Sequence, residues 1–507
     1  MKTFVYHLFV SLLAIAFLVA PTSATNRSAM LRTVVTTDME QDDLASLIRY
    51  LLYTNELDTQ GIIYTSSRYH WAGDGNGRAF FIPDREYTTP QWTWRWTGTR
   101  TIQDKVLNEY ADVYPNLQSH DPFYPTPDKL LSLVKIGNID FEGEMDHDTD
   151  GSNLIRSLLL DDDPRPLYLQ VWGGTNTIAR ALKSIEEEYS GSQLWTQTKK
   201  DVSQKAVIMA SGFQDETYAN YISLHWPQIR VEQLEAGYQT WGYNCNSSKG
   251  NVRGVPDNHL YFTGDWIKPS IQTGRYGSLY RSWLDGQAMP GDPLDVFGNL
   301  SSWSSSSQSC RPLGPYDFLS EGDNVAFNPL LTTGIQDPAN PRLGGWGGRA
   351  QQNKTSPNLW VMAEDEKSQN GSRIAGYTTN RWIAAAQNDF AARMQWTLTS
   401  NYTRANHAPS VDILNGTTVK AHPGVTVTLE SAVSDPDHDN VTTSWWQFFE
   451  EGSYPGIVTV TKLNANRANV MVPTDAKAGQ TISIILQGTD DGNFPLTRYS
   501  RIFVQVV

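Results

Sequence analysis

The stretch Arg32-Thr-Val-Val-Thr-Thr-Asp38-Met-Glu40-Gln-Asp42-Asp43-Leu-Ala-Ser-Leu-Ile-Arg-Tyr-Leu-Leu52 decides how this chain is read. Val34 and Val35 belong to a β-branched run that predicts a buried strand, and Leu44, Leu47, Ile48, Leu51 and Leu52 recur at helical spacing. A strand therefore hands over to a helix, with Asp38, Asp42 and Asp43 at the switch. Carboxylates at i, i+4 and i+5 within one turn can converge on a point, where they repel unless protons or a hard cation neutralise them. Asp42 and Asp43 also suit a helix N-terminus, and Asp38 suits a turn. The cluster by itself leaves both readings open.

Around this stretch, from Leu31 to about Ala350, short apolar runs alternate with helical segments. Residues 61–67, 166–172 and 205–211 read as buried strands, and Ile178 to Glu188 reads as a helix. Such alternation predicts an α/β fold, a mostly parallel sheet with helices on both faces. Ligands in such sheets bind at the carboxyl ends of the strands. Asp38, Ser66, Thr175, Gln214 and Asp215 all fall just past such ends, so Ser66, Asn176, Gln214 and Asp215 are candidate substrate contacts. Trp92, Trp94 and Trp96 alternate in a run that, if extended, points three rings to one side. Trp94 and Trp71 are therefore candidates for stacking on a sugar, with core packing as the alternative.

Arg381 to Trp396 reads as the last helix of this domain. Beyond Ala405-Asn-His-Ala-Pro409 the period changes to short alternating strands, at Val425 to Leu429, Ile457 to Val460, Thr481 to Leu486 and Tyr499 to Val507. They predict an all-β sandwich of immunoglobulin-like size. Within it, Asp435-Pro-Asp437-His-Asp439 reads as an Asp/Pro turn or a second cation site. Trp445-Trp446 and Phe448-Phe449 read as core or as a sugar platform. The expected division is a signal peptide over 1–24, the α/β domain over 25–403 and the sandwich over 404–507.

Composition narrows the partners. The chain has 507 residues, 17 Trp, 23 Tyr and a net charge of −14. That charge argues against nucleic acid or an anionic membrane, since both call for a basic face. Lys2, the apolar run from Phe9 to Ala20 and the small residues Thr22-Ser23-Ala24 predict a secretory signal peptide, hence a secreted, extracellular protein. Eight sequons, at Asn26, Asn246, Asn299, Asn353, Asn370, Asn401, Asn415 and Asn440, fit such export. Cys245 and Cys310 are the only two cysteines and are expected to pair in an oxidising compartment.

The acidic loop resembles the signature of nucleoside hydrolases, whose first strand ends in an Asp-x-x-x-Asp-Asp loop holding a catalytic Ca²⁺. The resemblance implies Asp38, Asp42 and Asp43 as ligands. Gly173-Gly174-Thr175-Asn176-Thr177-Ile178-Ala179 resembles that family's Gly-Pro-Leu-Thr-Asn-x-Ala segment, and Glu321-Gly322-Asp323-Asn324-Val325-Ala326 resembles its His-Asp-Pro-x-Ala segment. They imply the Thr175 carbonyl and Asp323 as further ligands, with Asp38 as the base that deprotonates an attacking water. Gly344-Gly-Trp346-Gly-Gly-Arg349, the segment from Arg381 to Trp396, and Ala405-Asn406-His407-Ala-Pro409 are similar to a family of secreted cellulose-binding proteins with a nucleoside-hydrolase-like domain and a β-sandwich.

Two departures bear on function. Gly322 stands where nucleoside hydrolases often place a histidine that protonates the departing base, and Gly212 to Thr217 replaces their ribose-binding segment. An O-glycoside would still need an acid for its leaving oxygen; Glu321, Glu40 and Asp215 are the candidates, Glu321 first. The expected function is a secreted Ca²⁺-dependent hydrolase of glycosidic bonds, acting on a furanoside or plant-wall carbohydrate. The alternatives are a non-catalytic cellulose- or carbohydrate-binding protein on the same scaffold and an extracellular nucleoside hydrolase.

Overall fold

The strand that precedes the acidic loop, β1 (Leu31–Thr37), lies inside the sheet, hydrogen-bonded on both sides to parallel neighbours, β2 (Leu57–Tyr64) and β4 (Leu167–Val171). The structure is a computed structural model describing residues 30–234, 251–252, 255–256, 258–282, 289, 316, 321–367, 373 and 376–507. The sheet continues through β3 (Val134–Ile136), β5 (Ala206–Ala210) and β6 (Arg230–Gln233). A two-residue ribbon, β7 (Asn251–Val252) with β8 (Val255–Pro256), stands apart from it. β9 (Ala350–Gln352) and β10 (Leu359–Met362) complete eight strands in the order β3-β2-β1-β4-β5-β6-β10-β9. Every pairing is parallel except β10 with β9.

Successive strand residues face opposite cores, as a pleated sheet buried on both faces requires. Val35, Ile62, Tyr168 and Met209 join one apolar cluster with α1 (Gln41–Leu51), α2 (Leu107–His120) and the helix Ile383–Trp396. Val34, Ile63, Leu169 and Ile208 join the other with α3 (Asp150–Leu160) and α4 (Asn176–Tyr189). All eleven residues of α1 are buried, which brings its first turn, with Asp42 and Asp43, into the interior. The α/β architecture expected from the alternation is therefore present.

The C-terminal region is all β. One four-stranded sheet runs β11 (Ser410–Ile413), β13 (Thr426–Ser434), β16 (Arg467–Met471), β15 (Val460–Asn464); the other runs β12 (Thr418–Ala421), β18 (Thr497–Val506), β17 (Thr481–Thr489), β14 (Thr442–Gln447). The pairs are antiparallel except β12 with β18. Their facing sides form one core around Leu429, Trp445, Ile482 and Val504. The strand expected at Ile457 starts only at Val460, and Ile457 is exposed.

Part of the outer face of the second sheet packs against the α/β region. Ile485, Tyr499 and the adjacent Phe448 belong to the core around α1, and Trp382 meets Tyr499 edge-on at 5.6 Å. Arg498 of β18 pairs with buried Asp389 of the helix Ile383–Trp396 at 2.7 Å.

Candidate acidic site at the carboxyl end of the sheet

Asp38 follows β1 directly, and Met39 after it takes a left-handed φ of 56° although it is not glycine. That conformation is strained for a side chain. It is held by the Met39 N–H donating to Thr37 Oγ1 at 3.0 Å and by Thr97 Oγ1 donating to the Met39 carbonyl at 3.1 Å. The kink turns the chain so that Glu40, Asp42 and Asp43 face back towards Asp38. Gly173 gives Asp38 its room, because a Cβ there would come within 3.1 Å of its carboxyl carbon.

The cluster is short of partners. Asp38 and Asp43 are fully buried and Asp323 is 2% exposed. Both oxygens of Asp38, Oδ2 of Asp43 and Oδ2 of Asp323 lack a hydrogen-bond partner. Thr37 Oγ1 donates to Asp43 Oδ1, Ser211 Oγ to Asp323 Oδ1 at 2.7 Å, and the Asp43 N–H to Asp42 Oδ1 at 3.1 Å. Burial first, then the charge of Glu40, pushes the Asp38 carboxyl up to about 6. Burial and the charges of Asp38, Asp323, Asp42 and Glu40 hold Asp43 well above the usual carboxylate range, and burial with Asp42, Asp38 and Glu40 does the same for Asp323. Buried carboxylate oxygens that repel one another and accept from nothing are what a hard cation would satisfy. The residues present fit a hard cation such as Ca²⁺, which Asp38, Asp42, Asp43 and Asp323 would hold.

Sequence reading missed His70. It is fully buried and joins Asp38 and Glu40 in one group whose ligand atoms lie within 4.8 Å of one another. Its Nε2 meets Glu40 Oε2 at 2.7 Å and its Nδ1 meets the Arg95 carbonyl at 2.7 Å. Burial disfavours the imidazolium, but the charge and hydrogen bond of Glu40, with Asp38 beyond, raise His70 to about 9. Only contact across the fold identifies this residue; nothing in the sequence around it does.

Several expected site residues are held in hydrogen-bond networks of the scaffold. Glu321, the first candidate for a general acid, is fully buried in an ion pair with Arg49, whose Nε and Nη2 donate at 2.5 and 2.8 Å. Tyr280 and Asn324 complete its shell. A carboxylate gripped this way positions α1 and has no free face for a leaving group. Ser66 donates to the Phe141 carbonyl and accepts from Asn176, whose amide also donates to the Asn138 and Glu144 carbonyls. Asp215 accepts from the Thr175 and Thr217 hydroxyls and from the Thr217 and Asn176 N–H groups.

The Thr175 carbonyl accepts from the Ala179 N–H at 2.9 Å, serving the start of α4. Trp71 is fully buried among Phe80, Tyr87 and Phe141 and does not line an open sugar site. Trp94 packs against Tyr87 at 5.0 Å. Trp92 is 63% exposed, and a positive φ at Arg95 breaks the extended run between Trp94 and Trp96. Gln214 keeps a candidate role: Nε2 donates to the Trp172 carbonyl while Oε1 has no partner.

Asn401, Asn415 and Asn440 are exposed and Asn353 is half-buried. Asn26, Asn246, Asn299, Asn370, Cys245, Cys310 and the expected signal peptide lie outside the described residues. Among the described residues no helix is long and apolar enough to cross a membrane.

A parallel sheet whose first strand ends in converging aspartates, followed by a β-sandwich, defines a nucleoside-hydrolase-like protein with an appended all-β region. The chain belongs to the family described as cellulose-binding Sde182, nucleoside hydrolase-like domain, which it matches over residues 32–350, and residues 426–506 match the C-terminal domain of the cellulose-binding protein Sde0182. It is similar to the structure of a nucleoside hydrolase-related hypothetical protein from Saccharophagus degradans associated with carbohydrate metabolism. The identity is 27% and the TM-score 0.69, over 94% of this chain and 100% of that one. A plant nucleoside hydrolase, PpNRh1, shares 9% identity over 71% of this chain and 98% of its own, with a TM-score of 0.33. The effector protein XOO4466 shares 12% over 73% of this chain and 94% of its own, with a TM-score of 0.36. No curated protein matches the chain.

Proposed function

We propose that this is a secreted carbohydrate-binding protein, with cellulose or a related plant-wall glycan as its partner, whose acidic centre holds Ca²⁺ without completing a hydrolase. The observation that carries this reading is an imbalance of groups at the centre. Unpartnered carboxylate oxygens of Asp38, Asp43 and Asp323 lie buried there within reach of one another's charge, yet the expected proton donors already hold other partners. Glu321 is paired with Arg49, Asp215 accepts from Thr175, Thr217 and Asn176, and Glu40 meets His70, whose other ring nitrogen meets the Arg95 carbonyl. A bound Ca²⁺ supplies an oxygen-seeking charge that sugar hydroxyls can share. Asp38 orients such hydroxyls, and the buried walls around it exclude bulk water. The family's association with cellulose supports the same partner.

One observation favours a second reading, a glycosidase: Asp38 is raised towards neutrality by burial and keeps both oxygens unpartnered, as a base for an attacking water requires. Retention on insoluble cellulose, measured with and without chelator beside reducing-sugar release from nucleosides, aryl furanosides and wall polysaccharides, separates the two. Retention that chelator weakens, with no sugar released, is the expected result. Chelator-sensitive release that Asp38→Asn abolishes would replace the binding reading by the hydrolase, and retention indifferent to chelator would remove the acidic centre from binding.

A further inference from the structure

The sandwich carries a second acidic cluster, where the chain leaves β13. The carboxylates of Asp435, Asp437 and Asp439 lie with ligand oxygens within 4.8 Å of one another. A turn explains part of this. Asp435 Oδ1 accepts from the Asp437 and Asp439 N–H groups at 2.8 and 3.1 Å, and His438 adopts a φ of 66° that lets the chain double back.

The turn does not explain the groups that face it from elsewhere. Asp435 Oδ2, Asp490 Oδ2 and Asn406 Oδ1 are all buried without a hydrogen-bond partner, and Asp490 and Asn406 are only 4% and 6% exposed. Asp490, at the β17–β18 turn, spends Oδ1 on the Gly492 and Leu496 N–H groups and on the Asn406 amide, which donates to it at 3.0 Å. The Asn406 amide nitrogen is thereby fixed, and its oxygen is left over. Gly492 marks the convergence: a Cβ there would sit 2.5 Å from both the Asn406 amide and Asp439 Oδ2, so both groups border one small space that only glycine leaves open. Burial, and after it the charge of neighbouring aspartates, holds Asp435, Asp437, Asp439 and Asp490 above the usual carboxylate range.

Unpartnered buried oxygens are costly, and here they come from three separate segments beside further carboxylates. We propose that Asp435, Asp437, Asp439, Asp490 and Asn406 form a second cation site, selective for Ca²⁺. The donors are all oxygen, which suits Ca²⁺ and not the softer metals that seek nitrogen and sulfur. Five side chains leave positions for water in a shell of six to eight.

The site clamps the junction between the two halves of the chain. The Asn406 carbonyl accepts from Trp396 Nε1 of the last α/β helix at 2.9 Å. Its neighbour His407 donates its N–H to Asp437 at 2.6 Å and stacks on Tyr402 at 3.6 Å. A cation held here ties that linker to two turns of the sandwich.

The test uses the full chain, stripped of metal and titrated with Ca²⁺ alone by calorimetry, against an Asp435→Asn/Asp490→Asn variant. The wild type is expected to bind one more Ca²⁺ than the folded variant. Equal stoichiometry and affinity would overturn the site. Hydrogen exchange on the wild type needs no variant: added Ca²⁺ is expected to slow exchange at least fivefold in residues 435–440 and 490–492, and unchanged exchange there would also overturn it.

Discussion

Glu321→Gln distinguishes a structural carboxylate from a catalytic acid. In the native protein both Glu321 oxygens accept from the Arg49 guanidinium, which also stacks 3.9 Å from the Phe390 ring centre, and neither side chain is more than 1% exposed. Glutamine keeps the shape but removes the charge, leaving a guanidinium buried beside a neutral amide. Breaking one side of a buried ion pair costs about 3–5 kcal/mol. At about 2.1 cal/mol/K of unfolding entropy per residue, a domain of roughly 380 residues shifts about 1.3 °C per kcal/mol, so the expected fall in Tm is on the order of 4–7 °C. Scanning calorimetry at fixed scan rate measures it, and the double variant Arg49→Met/Glu321→Leu should recover part of the loss, since it removes both charges but also takes the Glu321 acceptor from Tyr280 and Asn324 and the Arg49 donor from Gln387. A Glu321→Gln protein with native Tm that had lost a chelator-sensitive glycosidase activity would refute this reasoning and return Glu321 to the role of acid.

Other predictions follow from the same packing. Burial opposes ionisation of Asp389, but Arg498 and Arg393 outweigh it and bring the carboxyl down from 3.8 to about 2. Because the folded value lies below the unfolded one, about 2 kcal/mol of stability is present above pH 3.8 and is lost as pH falls towards 2. Acid unfolding of Asp389→Asn should lack that slope. Trp71→Ala, emptying a fully buried site, should cost about 3–5 kcal/mol in denaturant unfolding, whereas Trp92→Ala should stay within about 0.5 kcal/mol. Gly174→Ala would place a Cβ 2.4 Å from both Asp215 Oδ2 and the Ser66 carbonyl. Thermal melts of that variant should show a loss of about 1–3 kcal/mol.

The sequence by itself determined the order of layers and the place where acids gather. Strand and helix periods are local properties: Val34 and Val35 must face opposite cores, and the leucines of α1 must line one stripe, whatever else the chain does. That Asp38, Asp42 and Asp43 sit at a strand end was equally local. Which polar groups remained unsatisfied was decided only by tertiary structure, because a hydrogen bond depends on partners distant in sequence. Asp38 and Glu321 are both buried carboxylates, but Arg49 of α1 reaches Glu321 whereas both Asp38 oxygens are left without a hydrogen-bond partner. His70 enters the site through Glu40, and Asn406 meets Asp490 across the sandwich edge. Trp71 and Trp92 look alike as residues in an aromatic stretch, yet one closes a core and the other stands in solvent, since burial is set by what the fold packs against each ring.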